Sequence, residues 1–332
     1  MSPLAFVWFL IIAAFITVYA VLDGFDLGAG FWSLFERDDE GREAIIAAVE
    51  PFWDGNEVWL ITGSGALFAA FPQAYATLFS AFSPAILLLI VALILRAIAI
   101  EFREKLESRP WRRLWDLAFG LGSAAPPVIF GMAAGNLLQG IPLDSSMWST
   151  IGIADFMNPL ALLAGAATLA LFAAHGAAFL ATKTEAALAA RWQKRAGAGA
   201  IVALNIFAIF LAASAIHHPS LFANFRQFPG LAMIPILALL SLLAAAILSW
   251  GQKPKAAFAA SALASAMSVA TVAAAIFPNI VPSIGNPAFS VTISNSASSA
   301  LTLKAMLVIA AIGMPLVILY HVWIYRAFRK NG

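Results

Sequence analysis

Residues 78–100 read LFSAFSPAILLLIVALILRAIAI, a stretch whose one ionisable side chain is Arg96. A helix crossing the hydrocarbon core of a bilayer needs about 20 mostly apolar residues, so this stretch reads as a membrane span. Two more precede it, at 4–22 and 56–72, and six follow, at 114–135, 158–181, 198–216, 230–250, 257–277 and 301–325. The pattern predicts an all-α polytopic membrane protein of about nine transmembrane helices, arranged as two four-helix bundles and one peripheral helix. Composition points the same way. With 62% hydrophobic and only 11% charged residues among 332, the chain has too little polar surface for a water-soluble domain of this size. The N-terminal MSPLAFVWFLIIAAF lacks the basic region of a signal peptide and reads as a retained first span.

The whole of 1–332 reads as a single integral-membrane domain, because the loops are short throughout and no segment resembles a soluble unit. A pseudo-repeat pairing 1–135 with 158–277 is suggested by LDGFDLGAG and AHGAAFLAT, which close spans one and five; 301–325 is then the extra helix. Orientation comes from the basic residues. Of the 19 Lys and Arg, all but Arg96, Arg226 and Lys304 fall on one side: in alternate loops and in a C-terminus carrying Arg326, Arg329 and Lys330. The positive-inside rule makes that side cytoplasmic and the N-terminus external. Trp8, Trp32, Trp53, Trp59, Trp148, Trp250 and Trp323 sit near span ends, where amphipathic rings prefer the interface. The net charge of +2 therefore reports topology and not nucleic-acid binding. Absence of cysteine excludes disulfides, thiolate metal sites and iron–sulfur clusters on this chain.

In so apolar a chain, ionisable residues at the membrane edge are the pointer to function. Asp23 and Asp26 close the inward-running first span, Asp54 and Glu57 open the outward-running second, and Arg96 and Glu101 end the third. All six reach one depth on the cytoplasmic side, with Trp53 beside Asp54. Such a cluster can take up protons, with Arg96 as counter-charge. The plainer alternative makes Asp54 an N-cap and Glu57 its capping-box partner, with Asp23 and Asp26 among headgroups. Four histidines are available for a haem: His175, His217, His218 and His321. His217 and His218 adjoin Pro219 at a span end, and nothing in the spacing makes His175 face His321. No Walker motif, dinucleotide fingerprint or HExxH is present.

DGFDLGAG at 23–30, FWDGNEVWLITGSGALFAAFP at 52–72, LILRAIAIEFREK at 93–105 and PPVIFGMAAGNLLQGIP at 126–142 occur in order along the chain. They closely resemble subunit II of cytochrome bd-type quinol oxidases, and the similarity extends more loosely to the last helix. The resemblance implies one half of a heterodimeric terminal oxidase of the bacterial inner membrane, oxidising quinol and reducing dioxygen to water. It implies a haem-bearing subunit I as partner, carrying haem b and haem d (or b in place of d), and no haem on this chain. It further implies a fold pseudosymmetric with subunit I, room for a small single-span accessory subunit, and a structural quinone without assigned residues. By the same likeness the acidic residue of WDGN, here Asp54, serves proton delivery, with Asp23, Asp26 and Arg96 as its charged network. The loops at 136–157 and 217–229 are shorter than in the longer members, a compactness similar to the cyanide-insensitive branch. Two other readings stand beside this one: a secondary transporter, on the Pro126–Pro127 break and the edge carboxylates, and an autonomous cytochrome using His175 and His321.

Overall fold

Thirteen helices occur in the computed structural model, which describes residues 2–149 and 151–327. In chain order they are α1 (Pro3–Ser33), α2 (Asp39–Val49), α3 (Trp53–Ala70), α4 (Pro72–Ala81), α5 (Ser83–Phe102), α6 (Arg109–Gln139) and α7 (Ile153–Phe156). Then come α8 (Pro159–Lys183), α9 (Ala186–His217), α10 (Ala223–Gln227), α11 (Met233–Trp250), α12 (Pro254–Ile276) and α13 (Ala300–Ala327). Arg329 and Lys330 of the basic C-terminus lie outside the described residues. The helix starts are written in the sequence. Proline occupies the first turn of α1, α5, α6, α8 and α12, where its missing N–H goes unused and its fixed φ suits a helix. The Asn158 side chain accepts from the Ala161 N–H and caps α8.

Eight of the described helices are long and apolar enough to cross a membrane: α1, α5, α6, α8, α9, α11, α12 and α13. The all-α, multi-span expectation holds, but the count of nine is not reached on these criteria. The difference is α3, whose 18 residues include Asp54, Asn56 and Glu57 within the first five. Those polar first turns leave too short an apolar remainder. A second difference is α1. It does not end at 22 but continues to Ser33, so Asp23 and Asp26 stand inside a helix and not at its end. A third is a small antiparallel ribbon, β1 (Asn279–Val281) with β2 (Val291–Thr292), in the connection before α13. Helix α6 runs unbroken past Pro126 and Pro127.

Packing falls into two groups. α3 and α6 lie against α1, and α5 against α6; α8, α9, α11 and α12 pack among themselves. The groups meet where α1 and α6 lie on α8, and α1 on α12. At the α1–α8 crossing the backbones touch: a Cβ on Gly28 would overlap the Phe172 carbonyl, and one on Gly176 would overlap the backbone of Gly28 and Ala29. Small residues permit this approach, and in lipid such packing is a main source of helix association. It also draws the DGFD segment deep into the protein, where Phe25 and Leu27 are fully buried. α13 lies against α1 and α3 at the periphery.

Candidate functional site

Burial of the DGFD segment carries two carboxylates with it. Asp23 and Asp26, three residues apart on α1 and hence on one helix face, are 0% and 2% exposed. Arg96, on α5, is 1% exposed and donates from Nη1 to Asp23 Oδ1 at 2.7 Å. Its Nη2 reaches Glu57 Oε2 at 3.4 Å. Asn56, beside Glu57 on α3, donates from Nδ2 to Asp26 Oδ2 at 2.7 Å and to the Leu22 carbonyl at 3.3 Å. Tyr325, on α13, donates its hydroxyl to Asn56 Oδ1 at 3.0 Å. Four helices thus converge on one polar node.

The charges do not balance within it. One guanidinium meets Asp23 and Glu57, and a third carboxyl group, Asp26, is bonded by the Asn56 amide. Asp23 Oδ2, Asp26 Oδ1 and Arg96 Nε are buried with no hydrogen-bond partner among the described residues. Buried polar groups are normally paired, so the node has spare capacity to hold protons and to bind water. Tyr19 lies one turn before Asp23 on α1 and is 3% exposed.

The structure sorts the six predicted charges. Asp23, Asp26, Glu57 and Arg96 come together. Asp54 is exposed, in the first turn of α3, and does not cap the helix: the cap position is Phe52, and no side chain bonds there. Glu57 turns to Arg96 and not back to the helix start. The capping-box alternative is therefore overturned, because α3 begins two residues earlier than that motif requires. Glu101 is exposed and outside the node; five residues beyond Arg96, it is rotated about 140° around the helix. Trp53 packs half-buried against the cluster around Phe25 and Phe52. The sequence reading missed Asn56 and Tyr325. Asn56 lies within WDGN itself, next to a residue already singled out; Tyr325 has no local signal.

The two histidines within the spans, His175 and His321, are tied to separate partners. His175, fully buried on α8, has Nδ1 at 2.7 Å from Ser261 Oγ and Nε2 at 2.9 Å from the Val21 carbonyl. His321 accepts at Nε2 from Trp59 Nε1 at 3.2 Å, and its Nδ1 lies 2.9 Å from the Val317 carbonyl. Both nitrogens of both rings are engaged in hydrogen bonds within the chain.

Two further ion clusters lie toward the basic ends of the helices. Arg103, in the turn just after α5, donates from Nε to Asp116 of α6 at 2.7 Å. Glu36, 3% exposed just after α1, is held by Arg191 at 2.7 Å and by Arg195, both on α9. Arg195 also stacks over Trp32 and Trp192.

Residues 4–328 match the family model of cytochrome bd terminal oxidase subunit II. The chain belongs to that family. It is 33% identical to the cytochrome bd-I ubiquinol oxidase subunit 2 of Escherichia coli K12, over 97% of this chain and 93% of the relative. It is 32% identical to the cytochrome bd ubiquinol oxidase subunit 2 of Bacillus subtilis 168, over 100% and 97%. Among solved structures, the bd oxidase of Geobacillus thermodenitrificans superposes with a TM-score of 0.82 over 100% of both chains, at 17% identity, and shows the fold. This subunit II is a component of a haem-containing quinol oxidase complex and works with a partner subunit I. It is a multi-pass membrane protein. The transporter reading has no support from these relatives.

Proposed function

We propose that this subunit II conducts protons from the cytoplasm toward the oxygen-reducing centre of its complex. The haems, b and d (or b in place of d), belong to subunit I, and the N-terminus faces the periplasm. The observation that carries the reading is a graded row of carboxylates. Asp54 is exposed; Glu57, one turn further along α3, has a side chain 19% exposed; Asp23 and Asp26 are sealed. Protons enter at Asp54, pass to Glu57, and reach Asp23 and Asp26 beside Arg96. The unpartnered oxygens of the two aspartates are where water would complete the path. Arg96 donates to Asp23, while Asp26 bonds the Asn56 amide and is the member that exchanges its proton.

The test is quinol-driven oxygen uptake by the purified complex carrying Asp26→Asn or Asp54→Asn. Loss of a positioned proton-transfer group costs about 10²–10⁴-fold in a proton-transfer step. Turnover per haem should therefore fall at least about tenfold in Asp26→Asn, with haem content unchanged. Wild-type turnover in both variants would reduce the node to a structural ion cluster.

A structural quinone has a candidate place among the described residues. A cavity of about 370 Å³ lies between the two helix groups, walled by Phe9, Ile12, Ile16, Phe130 and Phe172, with Tyr19 at its edge. Its apolar lining fits an isoprenoid chain. Solvent extraction of the purified complex should return quinone in near-stoichiometric amount.

A further inference from the structure

Helix α13 touches the rest of the subunit little, yet its inner end grips the WDGN turn at three successive points. Tyr325 Oη–H donates to Asn56 Oδ1 at 3.0 Å. His321, one turn earlier, accepts from Trp59 Nε1, and the same ring nitrogen lies 3.0 Å from the Gly55 carbonyl. The Tyr325 ring stacks on Phe52, centroids 4.6 Å apart and planes 26° apart. The first contact bears on chemistry, because Asn56 is the hydrogen-bond donor held against Asp26.

A carboxamide can present either end to a neighbour. Here the amino end faces Asp26 Oδ2 and the Leu22 carbonyl, both acceptors, and the carbonyl end faces the Tyr325 hydroxyl. Reversal would set Asn56 Oδ1 against two acceptor oxygens, and a proton on Asp26 would relieve only one of the two contacts. The Tyr325 hydroxyl on the carbonyl end and the Leu22 carbonyl on the amino end together hold the amide in the orientation that Asp26 meets. The ionisable groups that face Asp26 are Asp23 on α1, Glu57 on α3, Arg96 on α5 and Tyr325 on α13. Of these, Tyr325 is the one that bonds the Asn56 carbonyl.

We infer that Tyr325 of the last helix is a positioning residue for proton exchange at Asp26, acting through the orientation of the Asn56 amide. It touches neither substrate nor haem in this role. The inference rests on the proton-conducting reading above and adds α13, an otherwise peripheral helix, to the working parts of the subunit.

The test uses the intact two-subunit complex in mild detergent. Tyr325→Phe deletes one hydroxyl and keeps the ring that stacks on Phe52. Two readouts are taken: oxygen uptake per haem, and the redox-induced infrared carboxyl band that Asp26→Asn removes. Loss of one hydrogen bond's weight should slow turnover about fivefold, and the carboxyl band should shift, since its partner amide is free to turn. A Tyr325→Phe complex with wild-type turnover and an unmoved band overturns the inference. Slower turnover with the band in place also overturns it, because α13 would then act only by docking. An Asp26→Asn complex with full turnover and an unaltered carboxyl region overturns the proton reading underneath. If Tyr325→Phe does not assemble, Asn56→Ala cuts the same link from α3; an unmoved band there sinks the idea equally.

Discussion

Arg96 shows how strongly one side chain can depend on its setting. It stands in a membrane-spanning helix, 1% exposed, with Asp23 at 2.7 Å. Removing one partner of a buried ion pair leaves an uncompensated charge and costs about 3–5 kcal/mol. Arg96→Ala should therefore lower the thermal stability of the purified complex by that order, and Asp23→Asn together with Arg96→Ala should recover part of it. Asp54 is the opposite case. It is exposed and makes no cap, so Asp54→Asn should leave stability within about 0.5 kcal/mol, and any loss of oxygen uptake it causes is functional. A melting curve taken beside the turnover assay separates the two. At this scale the sequence is informative about identity and weak about partners. The rarity of charge picks out Asp23, Asp26, Glu57 and Arg96, which do meet. Asp54 and Glu101 share the chemistry but not the geometry, since helix rotation places a residue and composition does not. Tyr325 is separated from Asn56 by 269 positions, and nothing local to either announces the pair.

Among the elements, α1 carries the site, and it is the one whose end was hardest to read. Hydropathy alone stops it at 22, because LDGFDLGAG is polar and glycine-rich. Glycine inside a helix costs roughly 1 kcal/mol relative to alanine. The helix nevertheless continues to Ser33, because Gly28 lets the backbone of α1 rest directly on α8 near Phe172 and Gly176. The contact returns more than the propensity takes away, and only the assembled packing reveals that. Gly28→Ala would drive a methyl group into the Phe172 carbonyl, so a backbone must move. Overpacking of this kind costs about 1–3 kcal/mol. The expected result is a smaller yield of assembled complex, with the Asp23–Arg96 pair disturbed through displacement of α1. Equal yield and equal melting temperature in the alanine variant would show that the α1–α8 approach is not critical. The other spans are legible because a bilayer imposes their length and composition; α3 is the exception, shortened by the polar turns that serve the node.

At the scale of the molecule, the two helix groups must hold a fixed relation if α1, α3, α5 and α13 are to keep their polar groups together. Part of that relation is set by apolar packing of α1 and α6 on α8, and part by Glu36. Glu36 follows α1, is 3% exposed, and meets Arg191 and Arg195 of α9. The two arginines are 40% and 25% exposed, so water can solvate them when the carboxylate is gone. Glu36→Gln should therefore cost less than a sealed pair would, about 1.5–3 kcal/mol for the lost charged hydrogen bonds. Salt discriminates the Glu36 latch from the Asp23–Arg96 pair. Exposed charges are screened at high ionic strength and sealed ones are not. The stability gap between wild type and Glu36→Gln should narrow between low and high salt, while the gap for Arg96→Ala stays. If both gaps stay constant, Glu36 contributes through shape and hydrogen bonding alone, and the coupling of the two groups rests on the α1–α8 packing.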